Sequence, residues 1–482
     1  MNASIQRNLA IAAGPTLFLL LFFIIPTTGL SKEISSVIAL GAWMLTWWIT
    51  EPLPIAITSL LPLIVLPALG ISSMSETAQP YGDPVIFLFM GGFILALALE
   101  KYHLHQRIAL NLIRMTGTSG NGIILGFMLA TALISMWISN TATAIMMLPI
   151  AASVTNLIAK DLSLEQDDRF KNFSTGLMLA IAYASSIGGI ATIIGTPPNV
   201  VMVGHVKRIY GTDVGFADWM IVGVPLMILA LASCYLIITK ILFRNRLSNI
   251  PGSKELIENK LKELGPVSGM EKKVLIIFGI TSFLWIFKQL INKVIGFGLL
   301  DDTSIAILGA VLMFLLPAAS EETKARGLLE WSDMKNMQWG ILLLFGGGMA
   351  LAGGMEKSGL VEKIGGYFRE NQISGAVLIF SLTFISMALT ELMSNVALVT
   401  IFVPVVFGIA EGAGINPIYL ALPVTFAASC AFMMPISTPP NAILFASGYI
   451  KMKDMIKTGL LLNLFCLAII FVLAITIMEA VF

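Results

Sequence analysis

The chain has 482 residues and a formal net charge of +1, so no excess of charge favours a nucleic-acid partner. Hydrophobic residues make up 57% and charged residues 12% of the chain, whereas soluble domains average about 25% charged. This composition excludes a water-soluble globular protein, because lipid must solvate much of the surface. In lipid the backbone must satisfy its own hydrogen bonds, either in helices or in a closed barrel.

The apolar segments favour helices. They are continuous and about 20 residues long, which is the length a helix needs to cross hydrocarbon, whereas barrel strands alternate in polarity. The first segment follows Arg7 and resembles a signal peptide, but it has no clear cleavage site, so we expect a retained helix. We predict an all-α integral membrane protein with about eleven transmembrane helices, at residues 9–29, 34–50, 54–71, 83–100, 174–204, 219–240, 274–292, 303–318, 339–356, 417–447 and 458–480.

Two further apolar stretches, 121–158 and 372–410, are too long for one simple crossing. Polar residues interrupt each near its middle, so we predict two re-entrant hairpins that enter and leave on the same side. Most lysines and arginines fall on one side of the predicted spans, in segments 1–8, 101–120, 159–173, 241–273, 319–338 and 448–457. The positive-inside rule therefore predicts a cytoplasmic N-terminus and an external C-terminus in the cell membrane.

The two halves of the chain resemble each other. The glycine-rich span Phe89–Lys101 matches Phe345–Lys357, and a hairpin and a double proline follow each in the same order. An odd number of predicted spans separates the copies, so the second is inverted, which is typical of secondary transporters. The alternative is a duplication in a structural membrane protein, which the paired polar clusters and double prolines disfavour.

Each predicted hairpin carries a polar cluster, Ser139-Asn140-Thr141 in the first and Ser394-Asn395-Val396 in the second. Ser and Asn accept hydrogen bonds from the first N–H groups of a helix, so these tips predict helix N-termini at mid-membrane. Such ends carry partial positive charge and bind anions.

The double prolines Pro197-Pro198 and Pro439-Pro440 predict the complementary feature, a broken helix. Carbonyls freed at such a break coordinate cations together with hydroxyl and amide oxygens. None of the clusters contains lysine or arginine, so an anion held there would depend on helix ends, amides and co-bound cations. The candidate cation ligands are Ser135, Ser139, Asn140 and Gly188 in the first half, and Thr390, the carbonyl of Met393, Asn395 and Ser437 in the second.

Other chemistry-bearing residues are few. Glu391 lies inside the second hairpin segment, where a carboxylate marks a functional site or serves as a capping or interdomain hydrogen-bond partner. The cysteines Cys234, Cys430 and Cys466 fall in apolar runs and are expected to pack rather than bind metal. No nucleophile-His-acid set supports an enzyme.

With these paired Ser-Asn and Thr-Pro-Pro motifs, nearly the whole chain resembles the divalent anion/sodium symporter family, whose members carry di- and tricarboxylates or sulfate. The resemblance implies a homodimer with an elevator mechanism, in which a transport domain slides against a scaffold. It implies scaffold at 1–120 and 274–371, transport domain at 121–240 and 372–482, and a cytoplasmic linker at 241–273.

The resemblance also implies site residues. Sodium, the co-transported ion, would bind the cation ligands named above. The carboxylates of the substrate would contact Asn140, Thr141, Asn395, Val396, Thr438 and Pro439. Val396 departs from the pattern, because it has no hydroxyl where the first motif has Thr141.

The sequence therefore predicts sodium-coupled symport of a C4-dicarboxylate such as succinate, malate or fumarate. The alternatives are transport of citrate, 2-oxoglutarate or sulfate, sodium-independent dicarboxylate exchange, and a passive anion channel. In a channel the matched cation-type clusters would have no role.

Overall fold

The computed structural model describes residues 3–162, 167–248, 250, 252–296, 298, 300–318, 327–371 and 373–482. Within these ranges the regular structure is helical. In chain order the α-helices are α1 Ala3–Ile24, α2 Lys32–Thr50, α3 Ile55–Thr58, α4 Leu61–Ala68, α5 Met74–Ala78, α6 Pro84–Lys101, α7 Leu104–Met115, α8 Gly120–Ser135, α9 Asn140–Leu162, α10 Asp168–Ile190, α11 Pro197–Tyr210, α12 Phe216–Leu236, α13 Ser253–Glu263, α14 Gly269–Ile295, α15 Asp302–Leu315, α16 Trp339–Lys357, α17 Leu360–Asn371, α18 Gly375–Leu389, α19 Asn395–Ala413, α20 Pro417–Ala428, α21 Pro439–Phe445, α22 Met452–Leu473 and α23 Glu479–Val481.

The protein is a multi-pass membrane protein. Among the described residues, nine helical segments are long and apolar enough to cross a bilayer, and shorter apolar helices lie beside them. Large apolar side chains are exposed on α1 and α14, for example Phe23, Phe283 and Leu290. Such surfaces are stable against lipid and not against water.

The predicted breaks in the spans are present, and a further one appears. The span 174–204 divides into α10 and α11, and 417–447 divides into α20 and α21. In both cases the break precedes the prolines, which occupy the first turn of the next helix, where a missing N–H costs nothing. The span 54–71 is also divided, into α3 and α4, with Pro62 in the first turn of α4.

Both predicted hairpin segments consist of two helices joined by a short turn, α8–α9 and α18–α19. They are called the first and second hairpin below. Residue 372, where the second segment was predicted to start, lies outside the described residues, as do 163–166 and 319–326 of the basic segments. The short helices α7 and α17 stand in corresponding places, after the glycine-rich α6 and α16.

The core centres on α10, which is buried along nearly its whole length. It packs against α8, α9, α12 and α21, so it connects elements of both halves. The glycines of α16 permit close approach: a side chain on Gly347 would collide with the Ser59 carbonyl, and one on Gly348 with Thr400. This agrees with the packing role that glycines have in membrane helices.

Two ion pairs lie inside or beside the spans. Lys288 of α14 forms an ion pair of 2.8 Å with Asp302 of α15, and both side chains are mostly buried. On the linker side, Arg107 of α7 pairs with Glu271 at 2.8 Å and donates to the carbonyls of Leu264 and Gly265. These contacts attach the linker segment before α14 to the first half.

Candidate functional site

The two hairpin tips and the two breaks after α10 and α20 meet at one cavity of about 980 Å³. One wall comes from the tips and the broken helices, and the other comes from α2, α3 and the start of α16. All four polar clusters singled out in the sequence therefore meet. The cavity is lined by Ser139, Asn140, Thr141, Thr196, Pro197, Pro198, Met393, Ser394, Asn395, Val396, Ser437, Thr438, Pro439 and Pro440, among others.

Every residue predicted to contact a substrate carboxylate lines this cavity. The predicted cation ligands divide into two groups. Some also line the cavity, namely Ser139, Asn140, Met393, Asn395 and Ser437. Ser135, Gly188 and Thr390 are buried behind the cavity wall.

Three oxygen atoms converge behind the first hairpin tip. The Ser135 hydroxyl lies 2.7 Å from Oδ1 of Asn140 and 2.6 Å from the carbonyl oxygen of Ser185 on α10. We call these three groups the first oxygen cluster. The Ser135 side chain is fully buried.

The second hairpin repeats this arrangement. The Thr390 hydroxyl lies 2.8 Å from Oδ1 of Asn395 and makes a still shorter contact with the carbonyl oxygen of Ala428 on α20. We call these groups the second oxygen cluster. The hydroxyl and the amide are five positions apart in both hairpins.

Each oxygen cluster has more acceptors than protons. A hydroxyl donates one proton, and neither an amide oxygen nor a carbonyl oxygen donates any. In each cluster the hydroxyl oxygen is close to both the amide oxygen and the carbonyl oxygen, but it can donate its one proton to only one of them at a time. The other close pair of oxygens is then left without a proton between them, which is unfavourable. Oxygen-rich sets of this kind suit a hard cation such as sodium.

Two glycines at the end of α10 make this geometry possible. A side chain on Gly188 would collide with the backbone of Ala132, so Gly188 lets α10 approach α8 closely. A side chain on Gly189 would lie 2.5 Å from Oδ1 of Asn140. Gly189, rather than Gly188, adjoins the first oxygen cluster directly, and the role of Gly188 as a ligand stays a prediction.

The two tips differ in their caps. Ser139 accepts a hydrogen bond of 3.3 Å from the N–H of Ala142, as expected for a helix cap. Ser394 makes no such bond at the start of α19. The Ser394 hydroxyl lines the cavity without a capping bond, next to the position where Val396 lacks a hydroxyl.

Glu391 is a buried hydrogen-bond acceptor, which agrees with the structural alternative for this residue. Its carboxylate accepts bonds of 2.8–3.2 Å from the backbone N–H groups of Phe432, Met433 and Met434, from the Ser437 hydroxyl and from the Asn463 amide. The donors Phe432 to Ser437 lie in the loop that joins α20 to α21. Glu391 therefore holds this loop against the second hairpin.

The described lining of the cavity contains one carboxylate, Glu51, and no lysine or arginine. Neutral dipoles, namely hydroxyls, amides and the N-termini of α9, α19, α11 and α21, surround the space instead. A bound dianion would lack a fixed cationic partner in this lining. Cations bound beside it would supply that charge.

The chain matches the family model described as the sodium:sulfate symporter transmembrane region over residues 6–482. It is 40% identical over 473 residues to the sodium-dependent dicarboxylate transporter SdcS of Staphylococcus saprophyticus, covering 97% of this chain and 90% of that protein. It is also 40% identical over 482 residues to the SdcS of Staphylococcus aureus, covering 99% of this chain and 92% of the relative. The chain belongs to this family. The resemblance to the divalent anion/sodium symporter family is thereby confirmed, and the chain is a transporter rather than an enzyme.

Solved structures share the fold of this symporter at low identity. One is MtrF of Neisseria gonorrhoeae, with a TM-score of 0.59, 11% identity and coverage of 91% of this chain and 94% of that one. Another is the YdaH transporter of Alcanivorax borkumensis, with a TM-score of 0.58, 13% identity and coverage of 85% and 89%. The similarity confirms the all-α membrane transporter fold expected from the sequence.

The sequence alone did not single out two members of the oxygen clusters of this symporter. The carbonyls of Ser185 and Ala428 leave no signal in a sequence, because every residue has a carbonyl group. The matched spacing of the motifs indicates only that some carbonyl near the end of α10 and α20 is free. Asn199 and Asn441, by contrast, stand visibly in the paired motifs.

Proposed function

We propose that the protein is a sodium-coupled symporter of C4-dicarboxylates such as succinate, malate or fumarate. The observation that carries this proposal is the pair of oxygen clusters beside one cavity, whose described lining contains no lysine or arginine. Two bound sodium ions would relieve the surplus of acceptors and would give a dianion its positive partners. The names of the SdcS relatives support both the ion and the substrate class.

Within this proposal the sodium ligands are those predicted from the sequence, supplemented by the carbonyls of Ser185 and Ala428. Substrate carboxylates contact Asn140, Thr141, Asn395, Val396, Thr438 and Pro439, and the two hairpin helices α9 and α19 direct their N-termini at them. The Thr141 hydroxyl donates a hydrogen bond at one end. At the other end Val396 has no hydroxyl, so Thr438, the Asn395 amide and backbone N–H groups are the donors.

The division into two domains explains how such a cavity can open alternately. The hairpins, α10 to α12 and α20 to α22 form the transport domain, and α1 to α6 with α14 to α16 form the scaffold of a homodimer. The cavity lies between these two sets, with Glu51, Pro54 and Gln338 on the scaffold side. These scaffold residues stand at the cytoplasmic ends of their helices if the N-terminus is inside, so the cavity faces inward.

Uptake into proteoliposomes tests the function. We expect saturating uptake of labelled succinate when sodium is present outside, and none when choline replaces it. Malate and fumarate should compete. Stronger competition by citrate, 2-oxoglutarate or sulfate would replace the proposed substrate class, uptake in choline driven by internal dicarboxylate would indicate exchange, and uptake that does not saturate would indicate a channel.

Labelling of single cysteines tests the inverted topology in the cell membrane. Asp168 is the first residue of α10 and has a side chain that is 94% exposed, and Ser374 precedes α18 and is also exposed. Cysteines are introduced there after the three native cysteines, all buried, are replaced by alanine. We expect an impermeant thiol reagent applied to intact cells to label Ser374→Cys and to label Asp168→Cys only after permeabilisation.

Labelling of both cysteines from one side would contradict the inverted arrangement of the two halves. Labelling in the reverse pattern would keep the inversion and reverse the orientation of the N-terminus. Activity of each single-cysteine variant is measured alongside, so that only folded protein is scored.

Replacing Val396 by threonine tests the substrate contact at the second tip. Val396 is half-buried, lines the cavity and also packs against an apolar cluster that includes α2 and α16. An unmet buried hydroxyl costs about 1–3 kcal/mol, whereas a hydrogen bond to a charged group contributes about 1.5–3 kcal/mol. We expect tighter substrate binding, by about tenfold for each 1.4 kcal/mol of surplus.

Calorimetry with succinate and with citrate measures this affinity, and the melting temperature without substrate measures the cost of the hydroxyl. A lower melting temperature with unchanged affinity would assign Val396 to packing. Ala397→Ser is a control, because Ala397 is the next residue along α19 and is buried away from the cavity lining.

A further inference from the structure

Two asparagines follow the double prolines, and they make the same pair of contacts. Asn199 is the third residue of α11, and its Nδ2 donates to the carbonyls of Gly189 at 3.1 Å and Thr192 at 2.8 Å. Asn441 is the third residue of α21, and its Nδ2 donates at 2.9 Å and 3.1 Å. Both acceptors lie ten and seven positions before the asparagine in each half.

The acceptors of Asn441 are the carbonyls of Ala431 and Met434 in the loop between α20 and α21. Those of Asn199 lie in the last turn of α10 and in the loop after it. Carbonyls at the end of a helix have no partner within the helix. A primary amide has two N–H groups, so each asparagine uses its whole donor capacity to join the end of one half-helix to the start of the next.

These bonds adjoin the two oxygen clusters. Gly189, held by Asn199, packs directly against the Asn140 amide, and Ser185, whose carbonyl belongs to the first oxygen cluster, lies about one turn earlier on α10. In the second half Ala431 follows shortly after Ala428, whose carbonyl belongs to the second oxygen cluster. The asparagines therefore restrain the backbone from which the cation-ligating carbonyls come.

The oxygen of each amide has no hydrogen-bond partner among the described residues. Oδ1 of Asn199 and Oδ1 of Asn441 are buried, and both residues are fully buried. A buried acceptor without a donor is unfavourable, so Oδ1 does not explain why asparagine stands at these two positions. The two N–H groups of Nδ2 do explain it, because both donate hydrogen bonds in each half.

We infer that Asn199 and Asn441 are positioning residues for the two cation sites, each acting on the oxygen cluster of its own half through the carbonyls that it holds. This inference rests on the proposed sodium-coupled function. It assigns neither residue to the ion or to the substrate, since neither lines the cavity.

The two halves differ in how much else holds the loop. In the second half, Glu391 also holds the loop between α20 and α21, because it accepts hydrogen bonds from several donors of that loop. In the first half, the loop between α10 and α11 is otherwise tied to its hairpin by the Thr192 hydroxyl, which donates to the Met136 carbonyl. Loss of the Asn199 donors should therefore disturb its site more than loss of the Asn441 donors.

The test uses the full-length protein with Asn199→Leu and Asn441→Leu, which keep a similar volume and remove the donors. We expect the sodium concentration for half-maximal succinate uptake to rise about tenfold, equivalent to about 1.4 kcal/mol, for Asn199→Leu. The rise should be smaller for Asn441→Leu. The KM for succinate at saturating sodium should stay within about threefold, or about 0.65 kcal/mol, of the wild-type value.

A binding measurement separates this role from simple support of the fold. Sodium that binds only the folded protein raises its melting temperature, and a weaker site gives a smaller rise at the same concentration. We compare melting in sodium chloride with melting in choline chloride for the purified protein. Asn416→Leu is the matched control, because the Asn416 amide also donates to a backbone carbonyl, that of Phe482, but Asn416 is exposed and lies just before the start of α20.

A lower melting temperature in choline with an unchanged sodium dependence would overturn the inference, because the asparagine would then only support the fold. If Asn199→Leu does not fold, Asn199→Ser, which keeps one donor, decides by the same two measurements. A wild-type protein that neither melts higher in sodium nor takes up succinate would instead refute the proposed function.

Double variants test the assignment of each asparagine to its own half. The effects of Asn199→Leu and Ser135→Ala on the free energy of sodium binding should not add in the double variant, since both substitutions act on one site. The effects of Asn199→Leu and Thr390→Val should add, since they act on different sites. Equal coupling in both pairs would contradict separate sites.

Discussion

Replacing Asn140 or Asn395 by alanine is expected to abolish sodium-dependent uptake of succinate while leaving the fold intact. Each change removes Oδ1 from an oxygen cluster and leaves the hydroxyl and the carbonyl without the third oxygen. No carboxylate is part of either cluster, so no other strong ligand compensates for the loss. Each asparagine also lies at a hairpin tip that lines the cavity, so a substrate contact is lost together with the ion site.

The measurement is uptake into proteoliposomes over a range of sodium concentrations, with sodium-dependent melting of the purified variant as a check on binding. Asn172→Ala is the control, since Asn172 has the same side chain but donates to the Arg244 carbonyl in an exposed position. It should keep wild-type sodium dependence. Wild-type uptake and sodium affinity in Asn140→Ala or Asn395→Ala would remove that residue from the proposed site.

Replacing Glu391 by glutamine is expected to have the largest effect on stability. The carboxylate accepts bonds from three consecutive backbone N–H groups, a hydroxyl and an amide, and hydrogen bonds to a charged group contribute about 1.5–3 kcal/mol each. A glutamine amide keeps one oxygen and turns its own N–H groups towards donors. We expect a loss of at least about 3 kcal/mol in the free energy of unfolding, a size seen when a buried hydrogen-bond network is broken.

The melting temperature in detergent and the fraction of monodisperse protein after purification measure this loss. Glu411→Gln is the matched control: Glu411 accepts a bond of 2.7 Å from the Tyr210 hydroxyl in an exposed position near the end of α19. The glutamine oxygen can accept the same bond, and water competes for it there, so this substitution should cost less than about 1 kcal/mol. Wild-type melting of Glu391→Gln combined with lost transport would contradict the loop-holding role and assign the carboxylate to the transport step.

The breaks in the spans were predictable because proline acts through its own backbone. Pro197 and Pro439 lack the N–H that a continuous helix requires, so each double proline ends one helix and begins another wherever the chain folds. Hairpin tips were predictable for a similar reason, since Ser-Asn within an apolar run must satisfy its polar groups locally. The break between α3 and α4 was not predicted, although Pro62 marks it.

The sequence by itself determined that this protein is an all-α membrane transporter of a known symporter family. It also determined that the polar motifs lie at helix breaks. Both conclusions follow from composition and local backbone chemistry, which do not depend on residues distant in the chain. Tertiary structure alone decided which atoms meet. Glu391 faces a loop more than forty residues away in sequence, and Lys288 pairs with Asp302 across two helices. The carbonyls of Ser185 and Ala428 join the oxygen clusters because α10 packs against α8 and α20 against α18. A carbonyl carries no side-chain signature, so only the packing of one helix on another selects it as a partner.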